Sequence, residues 1–167
     1  MAFYDLYDDM DLAEDFVKNI TRDIIKNCPL DLELFAKFVE PNLIENLMNV
    51  TETRYERLQY SDAVKILEKE NDRFEIKVSW GVDLASEHER FLVEKYFKKP
   101  IIMYNKPKDV AAFYMKLNDD GKTVRGMDLF VPRIGELIGG SEREERLDVL
   151  TTKMKEFNMN TDLYWWY

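Results

Sequence analysis

The spacing of the apolar residues changes at Pro100, and that change fixes the class of fold open to the chain. From Asp8 to about Asn49 the period is helical: Leu12, Phe16, Ile20 and Ile24 recur every four residues, with Val17 and Ile25 widening the stripe. Pro29 and Pro41 each fall where a new helix can begin, and residues 34–39 and 43–48 read as short amphipathic packing helices. Residues 55–60 read as a short strand. Ser61 reads as the N-cap of a helix through Glu70, and Ser86 as a second N-cap, with Glu89 completing a capping box three residues on. After Pro100 the runs become short and β-rich: residues 101–104, 112–115, 123–131 and 134–138, with a hairpin turn at Asp119 to Lys122 and a reversal at Pro132. Residues 144–157 return to helix, with Leu147, Leu150 and Met154 on one side. Helices grouped apart from hairpin-connected strands give an α+β fold with an antiparallel sheet.

Composition narrows the function classes. The 24 basic against 33 acidic residues leave a net charge of −9, unlike a nucleic-acid platform, which carries a basic patch. No run approaches the roughly 20 apolar residues that span a bilayer, and the first residues lack a signal-peptide pattern, so no membrane partner is expected. The single Cys28 excludes an internal disulfide and a cysteine-based metal site. It reads as a small buried hydrophobe in a cytoplasmic protein, with an organelle as the other reducing setting.

The stretch most able to carry chemistry is Met127 to Arg143. With the chain reversing at Pro132, Asp128 and Glu136 are equidistant from the turn and can face each other across two strands. Like charges so placed destabilise a sheet unless a cation lies between them, and carboxylate oxygens are what Mg²⁺ takes beside substrate phosphates. Two solvated carboxylates on an open face is the other reading. Gly139 and Gly140 suit either a plain bulge or the close approach of a ligand. Arg143 either reaches a small polar substrate with its rigid donor fork or is a salt-bridge partner on a helix surface.

These residues resemble a known family. Gly135 to Leu147, reading Gly-Glu-Leu-Ile-Gly-Gly-Ser-Glu-Arg-Glu-Glu-Arg-Leu, is similar to a segment of bacterial-type asparaginyl-tRNA synthetases, which are class II enzymes. So are Trp80 to Arg90 and Ala112 to Asn118. Met1-Ala2-Phe3 resembles the residues just after the family's second motif, and Tyr164 to Tyr167 those shortly before its third. The similarity runs end to end and is weakest between about residues 27 and 55.

The resemblance implies an antiparallel six-stranded sheet flanked by helices, and an aminoacyl-tRNA ligase reaction. Asparagine and ATP give asparaginyl-adenylate and pyrophosphate with Mg²⁺ assisting, and the asparaginyl group passes to tRNA(Asn). Asp128 and Glu136 resemble the pair that holds Mg²⁺ and the ATP phosphates. Arg143 resembles the arginine that addresses the amino-acid side chain, with Gly139, Gly140 and Ser141 along the amino-acid pocket. His88 is read as solvent-exposed at a polar helix start, Tyr114 as core or pocket lining, and Trp165 and Trp166 as packing residues. The family's Asn-Tyr-Pro-Lys stands here as Asn105-Lys106-Pro107-Lys108. Nothing resembles the motif 1 dimer helix, the motif 2 loop, motif 3 or the anticodon-binding barrel. The chain therefore reads as an internal piece of the catalytic domain, inactive alone, whose parent dimerises through other segments. The group that turns aspartate away is expected upstream. An aspartyl-tRNA synthetase, an ATP-dependent asparagine synthetase, or a non-catalytic interaction module of synthetase ancestry are the rival readings.

Overall fold

The computed structural model describes residues 1–166; Tyr167, the end of the Tyr164–Tyr167 run, lies outside the described residues. Three helices come first: α1 (Leu6–Asn27), α2 (Pro29–Phe38) and α3 (Leu43–Glu52). Strand β1 (Glu56–Gln59) leads into α4 (Tyr60–Glu68), and a short α5 (Ser86–Arg90) continues as a π-helical turn over Phe91–Tyr96. Strands β2 (Ile101–Tyr104), β3 (Gly126–Val131) and β4 (Gly135–Ser141) follow, and α6 (Leu147–Glu156) comes near the end. The sheet order is β1-β2-β3-β4. The expected antiparallel pairing holds from β2 to β4, while β1 joins parallel to β2. No described helix is long and apolar enough to cross a membrane.

Alternation along the strands builds a core on each sheet face. Ile102, Met127, Leu129 and Val131 meet Leu6, Met10, Ala13 and Val17 of α1. Leu58, Ile101, Met103 and Phe130 meet Tyr60, Val64 and Leu67 of α4 and Leu92 and Val93 of the π turn. The α1 N-terminus is fixed by a capping box: Asp5 Oδ1 accepts from the Tyr7 and Asp8 amides, and Asp8 Oδ2 accepts from the Asp5 amide.

Several sequence expectations are corrected here. The row Leu12, Phe16, Ile20, Ile24 is exposed, and the inward row is instead Leu6, Met10, Ala13, Val17 with Glu14 and Thr21. Both rows recur at helical spacing, and the inward one tolerates Glu14 because Lys18 and Arg57 pair with it and it accepts from the Tyr55 amide. Ser61 is not a cap: α4 starts at Tyr60 after Gln59 without a side-chain cap, and Ser61 Oγ accepts from Trp80 Nε1. Residues 112–115 form a turn, with only isolated bridges at Met115 and Leu117. Helix α6 begins at Leu147, which is exposed, while Leu150 and Met154 are buried. Cys28 is half-buried, and Trp165 and Trp166 are exposed.

His88 is also corrected. Far from exposed, it is 0% accessible. Its Nδ1 accepts from the Ala85 amide at 3.0 Å and its Nε2 donates to the Ile76 carbonyl at 2.8 Å, with the Phe74 ring edge-on at 4.8 Å. One ring nitrogen faces a donor and the other an acceptor, so the neutral Nε2–H tautomer satisfies both. His88, not Glu89, therefore closes the start of α5.

Candidate functional site

The β3–β4 hairpin turns through Pro132, Arg133 and Ile134, centred one residue beyond the expected reversal at Pro132. Arg133 (φ 73°) and Gly135 (φ 93°) take left-handed backbone to make it. Phe130 pairs with Glu136, but Leu129 pairs with Ile138 and Asp128 with Gly139, so Leu137 is the extra residue of a bulge. Asp128 and Glu136 are thus not direct partners, which corrects the expectation. The bulge nevertheless keeps both on the α4 side of the sheet. A Cβ on Gly139 would lie 3.1 Å from Glu136 Oε1 and 3.4 Å from Asp128 Oδ1, so the two carboxyls converge over a residue that has no side chain to separate them.

The two carboxylates line a small pocket of about 150 Å³ with Asp83, Glu89, Lys106 and Tyr60. Tyr60 places one wall: its hydroxyl donates to the Val82 carbonyl at 2.6 Å and accepts from the Gly81 amide at 3.1 Å. That turn needs Gly81, whose φ is 100°, and it delivers Asp83. Burial, then the facing Asp128 and Asp83, push the Glu136 carboxyl above its ordinary range against the pull of Lys106. Burial, then Glu136, Asp128 and Asp83, do the same to Glu89. Such crowding of carboxylates is costly and would be relieved by a cation, although no group of three or more His, Cys, Asp or Glu side chains among the described residues is placed to hold a metal by itself. The convergent pair is an oxygen-only donor set that fits Mg²⁺, which takes one or two carboxylates and completes its shell with phosphate and water.

Gly140, Ser141 and Arg143 line a second, open cleft of about 520 Å³, together with Asp5, Asp9, Glu142 and Glu145. Beyond β4 the chain stays extended against residues 114–117: the Lys116 amide donates to Glu142 and the Glu144 amide to Tyr114. Arg143 is therefore not on a helix surface. Its guanidinium lies 4.4 Å from the Tyr114 ring centroid and donates to Ser141 Oγ at 2.9 Å. Among the described residues it forms no ion pair, which removes the salt-bridge reading. Glu142 instead takes Lys116 and Arg125, and buried Glu144 takes Arg146.

The structure thus divides the expected residues between two cavities: Asp128 and Glu136, over Gly139, in one, and Gly140, Ser141 and Arg143 in the other, with Gly139 facing the α4 side of the sheet and Gly140 the α1 side. Sequence reasoning missed Asp83, Lys106 and Tyr60. Asp83 had a signal only in the Trp80 to Arg90 stretch and Lys106 only in the lysine itself, while Tyr60 had none, since no periodicity links any of them to the hairpin.

The whole chain, residues 1–167, matches the family model for tRNA synthetases class II (D, K and N). An asparagine–tRNA ligase of Oleidesulfovibrio alaskensis is 54% identical over all 167 residues, and one of Azobacteroides pseudotrichonymphae is 55% identical. In both cases the chain spans 36% of the relative's length. Among solved structures, asparaginyl-tRNA synthetase from Pyrococcus horikoshii complexed with asparaginyl-adenylate superimposes with a TM-score of 0.86 at 33% identity, covering 99% of this chain and 36% of that one.

Proposed function

Because the chain belongs to the class II tRNA synthetases (D, K and N), we propose that it is the portion of an asparagine–tRNA ligase that holds the ATP phosphates and reads the amino-acid side chain. Support comes from one juxtaposition: Asp128 and Glu136 converge over Gly139, and the next residue, Gly140, lines the cleft in which Arg143 is held between Tyr114 and Ser141. Relatives with the name asparagine–tRNA ligase at 54–55% identity favour asparagine over aspartate.

In this reading the asparagine carboxylate attacks the α-phosphorus of ATP, the bond to the β-phosphate oxygen breaks, and pyrophosphate leaves. A terminal ribose hydroxyl of tRNA(Asn) then attacks the adenylate carbonyl, and AMP leaves. Mg²⁺ supplies charge neutralisation of the phosphates. Asp128 and Glu136 hold it, and Arg143 donates to the side-chain carbonyl of asparagine. Gly139 keeps the carboxylate pair uncrowded, and Gly140 and Ser141 leave backbone open to the ligand. In this reading the remaining ATP contacts, the anticodon contacts and the dimer interface correspond to stretches of the relatives that this chain does not span. A tRNA substrate would put the work in a translating compartment, the cytoplasm or an organelle.

Charging of a tRNA(Asn) transcript by the full-length protein tests the reading. Asparagine should be attached and aspartate not; equal charging by aspartate would overturn it.

A further inference from the structure

We propose that Lys106 is a resident cation of the carboxylate pair: it holds Asp128 while no divalent metal is bound and must leave that carboxylate when the metal arrives. The inference rests on the reading of Asp128 and Glu136 as metal ligands. Lys106 Nζ lies 2.9 Å from Asp128 Oδ2 and 3.3 Å from Oδ1, so it engages both oxygens a metal would use. The two side chains are only 22% and 14% exposed, so water screens the contact incompletely.

The lysine is aimed there by the backbone. The Asn105 amide donates to Gly126 at 3.0 Å and the Val124 amide donates to Lys106 at 3.0 Å, which docks the residue alongside β3. The lysine stem runs close along β3, since a Cβ at Gly126 would be in ordinary contact with Lys106 Cε at 3.5 Å. Four carboxylates, Asp83, Glu89, Asp128 and Glu136, share the pocket, and Lys106 is the one cation lining it among the described residues. An ammonium and a divalent ion compete for the same Asp128 oxygens. Removing the lysine frees that carboxylate and makes the pocket more negative, so a metal should bind more tightly.

The test is Mn²⁺ binding by the full-length protein without ATP, followed by electron paramagnetic resonance. Lys106→Met should bind Mn²⁺ about three- to tenfold more tightly than the unmodified protein, a size set by one partly screened charge pair. Lys106→Arg, which keeps the cation, should restore the original affinity, an outcome that a merely structural lysine would not give. Lys106→Gln serves in place of the methionine variant if the latter melts early. Unchanged or weaker Mn²⁺ affinity in the folded neutral variants would overturn the role of Lys106. If instead Asp128→Asn binds Mn²⁺ as well as the unmodified protein does, or no variant binds it, the metal reading itself fails.

Discussion

The guanidinium of Arg143 stacks 4.4 Å from the ring centroid of Tyr114 while donating to Ser141 Oγ at 2.9 Å. The arginine is exposed to the cleft, yet its plane is set on one side by an aromatic face and on the other by a hydroxyl. A cation over a tyrosine face contributes about 0.5–2 kcal/mol, depending on solvent exposure. Tyr114→Leu should therefore raise the KM for asparagine by about five- to tenfold in the full-length protein, with a smaller change in kcat. Arg143→Leu should lower kcat/KM at least about a hundredfold, as losing a charge-assisted hydrogen bond and stranding its partner would. A loss below about fivefold with ATP binding intact would remove Arg143 from the amino-acid pocket.

The adjacent glycines should respond differently to alanine. At Gly139 a Cβ would meet Glu136 Oε1 at 3.1 Å and Asp128 Oδ1 at 3.4 Å, wedging the pair apart. At Gly140 it would meet Asp9 Oδ2 at 2.5 Å and Met127 Cε at 2.8 Å, on the α1 side of the sheet and away from both carboxylates, so with Met127 buried the cost falls on packing. Gly139→Ala should weaken Mn²⁺ binding at least about threefold, as a misplaced ligand does, with little change in melting temperature. Gly140→Ala should leave metal binding alone. Equal metal affinities in the two variants would mean the carboxylates do not converge at Gly139.

Much of this was legible in the sequence, and what was not has physical causes. The change of period at Pro100 separated most helices from most of the sheet, and the β3–β4 hairpin lies within one residue of the reversal expected at Pro132. The bulge at Leu137 was invisible because Leu137 and Ile138 suit either register, and only pairing shows which one is extra. The buried face of α1 was misjudged because two apolar rows share one helix. The more hydrophobic row is exposed, while the buried one carries Glu14, neutralised by Lys18 and Arg57. His88 looked exposed among acidic neighbours, because a satisfied buried histidine needs partners, Ala85 and Ile76, that spacing does not announce. Lys106 was visible only as a departure from Asn-Tyr-Pro-Lys, with no hint of its reach to Asp128.

His88 holds the segment that carries Asp83 and Glu89. His88→Ala would leave the Ala85 amide and the Ile76 carbonyl unpaired and open a cavity beside Phe74. A stability loss of roughly 2–4 kcal/mol is expected in chemical denaturation. A loss under about 0.5 kcal/mol would show that these backbone groups find water instead.

Glu144 anchors the segment bearing Arg143. Burial pulls its carboxyl upward, but hydrogen bonds from the Arg146 side chain and the Leu117 and Arg146 amides outweigh it and hold it down at about 2, against an ordinary 4.5. A carboxyl depressed on folding stabilises the protein above its unfolded value, and that contribution fades as pH falls from about 4.5 towards 2. Glu144→Gln should lower stability at neutral pH and flatten its decline across that acid range. An identical acid slope in both proteins would contradict the assignment.

ATP–pyrophosphate exchange by the full-length protein most directly tests the central claim. Exchange should depend on asparagine, run at least about a hundredfold slower with aspartate, and vanish in a folded Glu136→Ala variant. The 167-residue chain alone should give none. Full exchange in Glu136→Ala, or exchange supported equally by aspartate, would contradict the account.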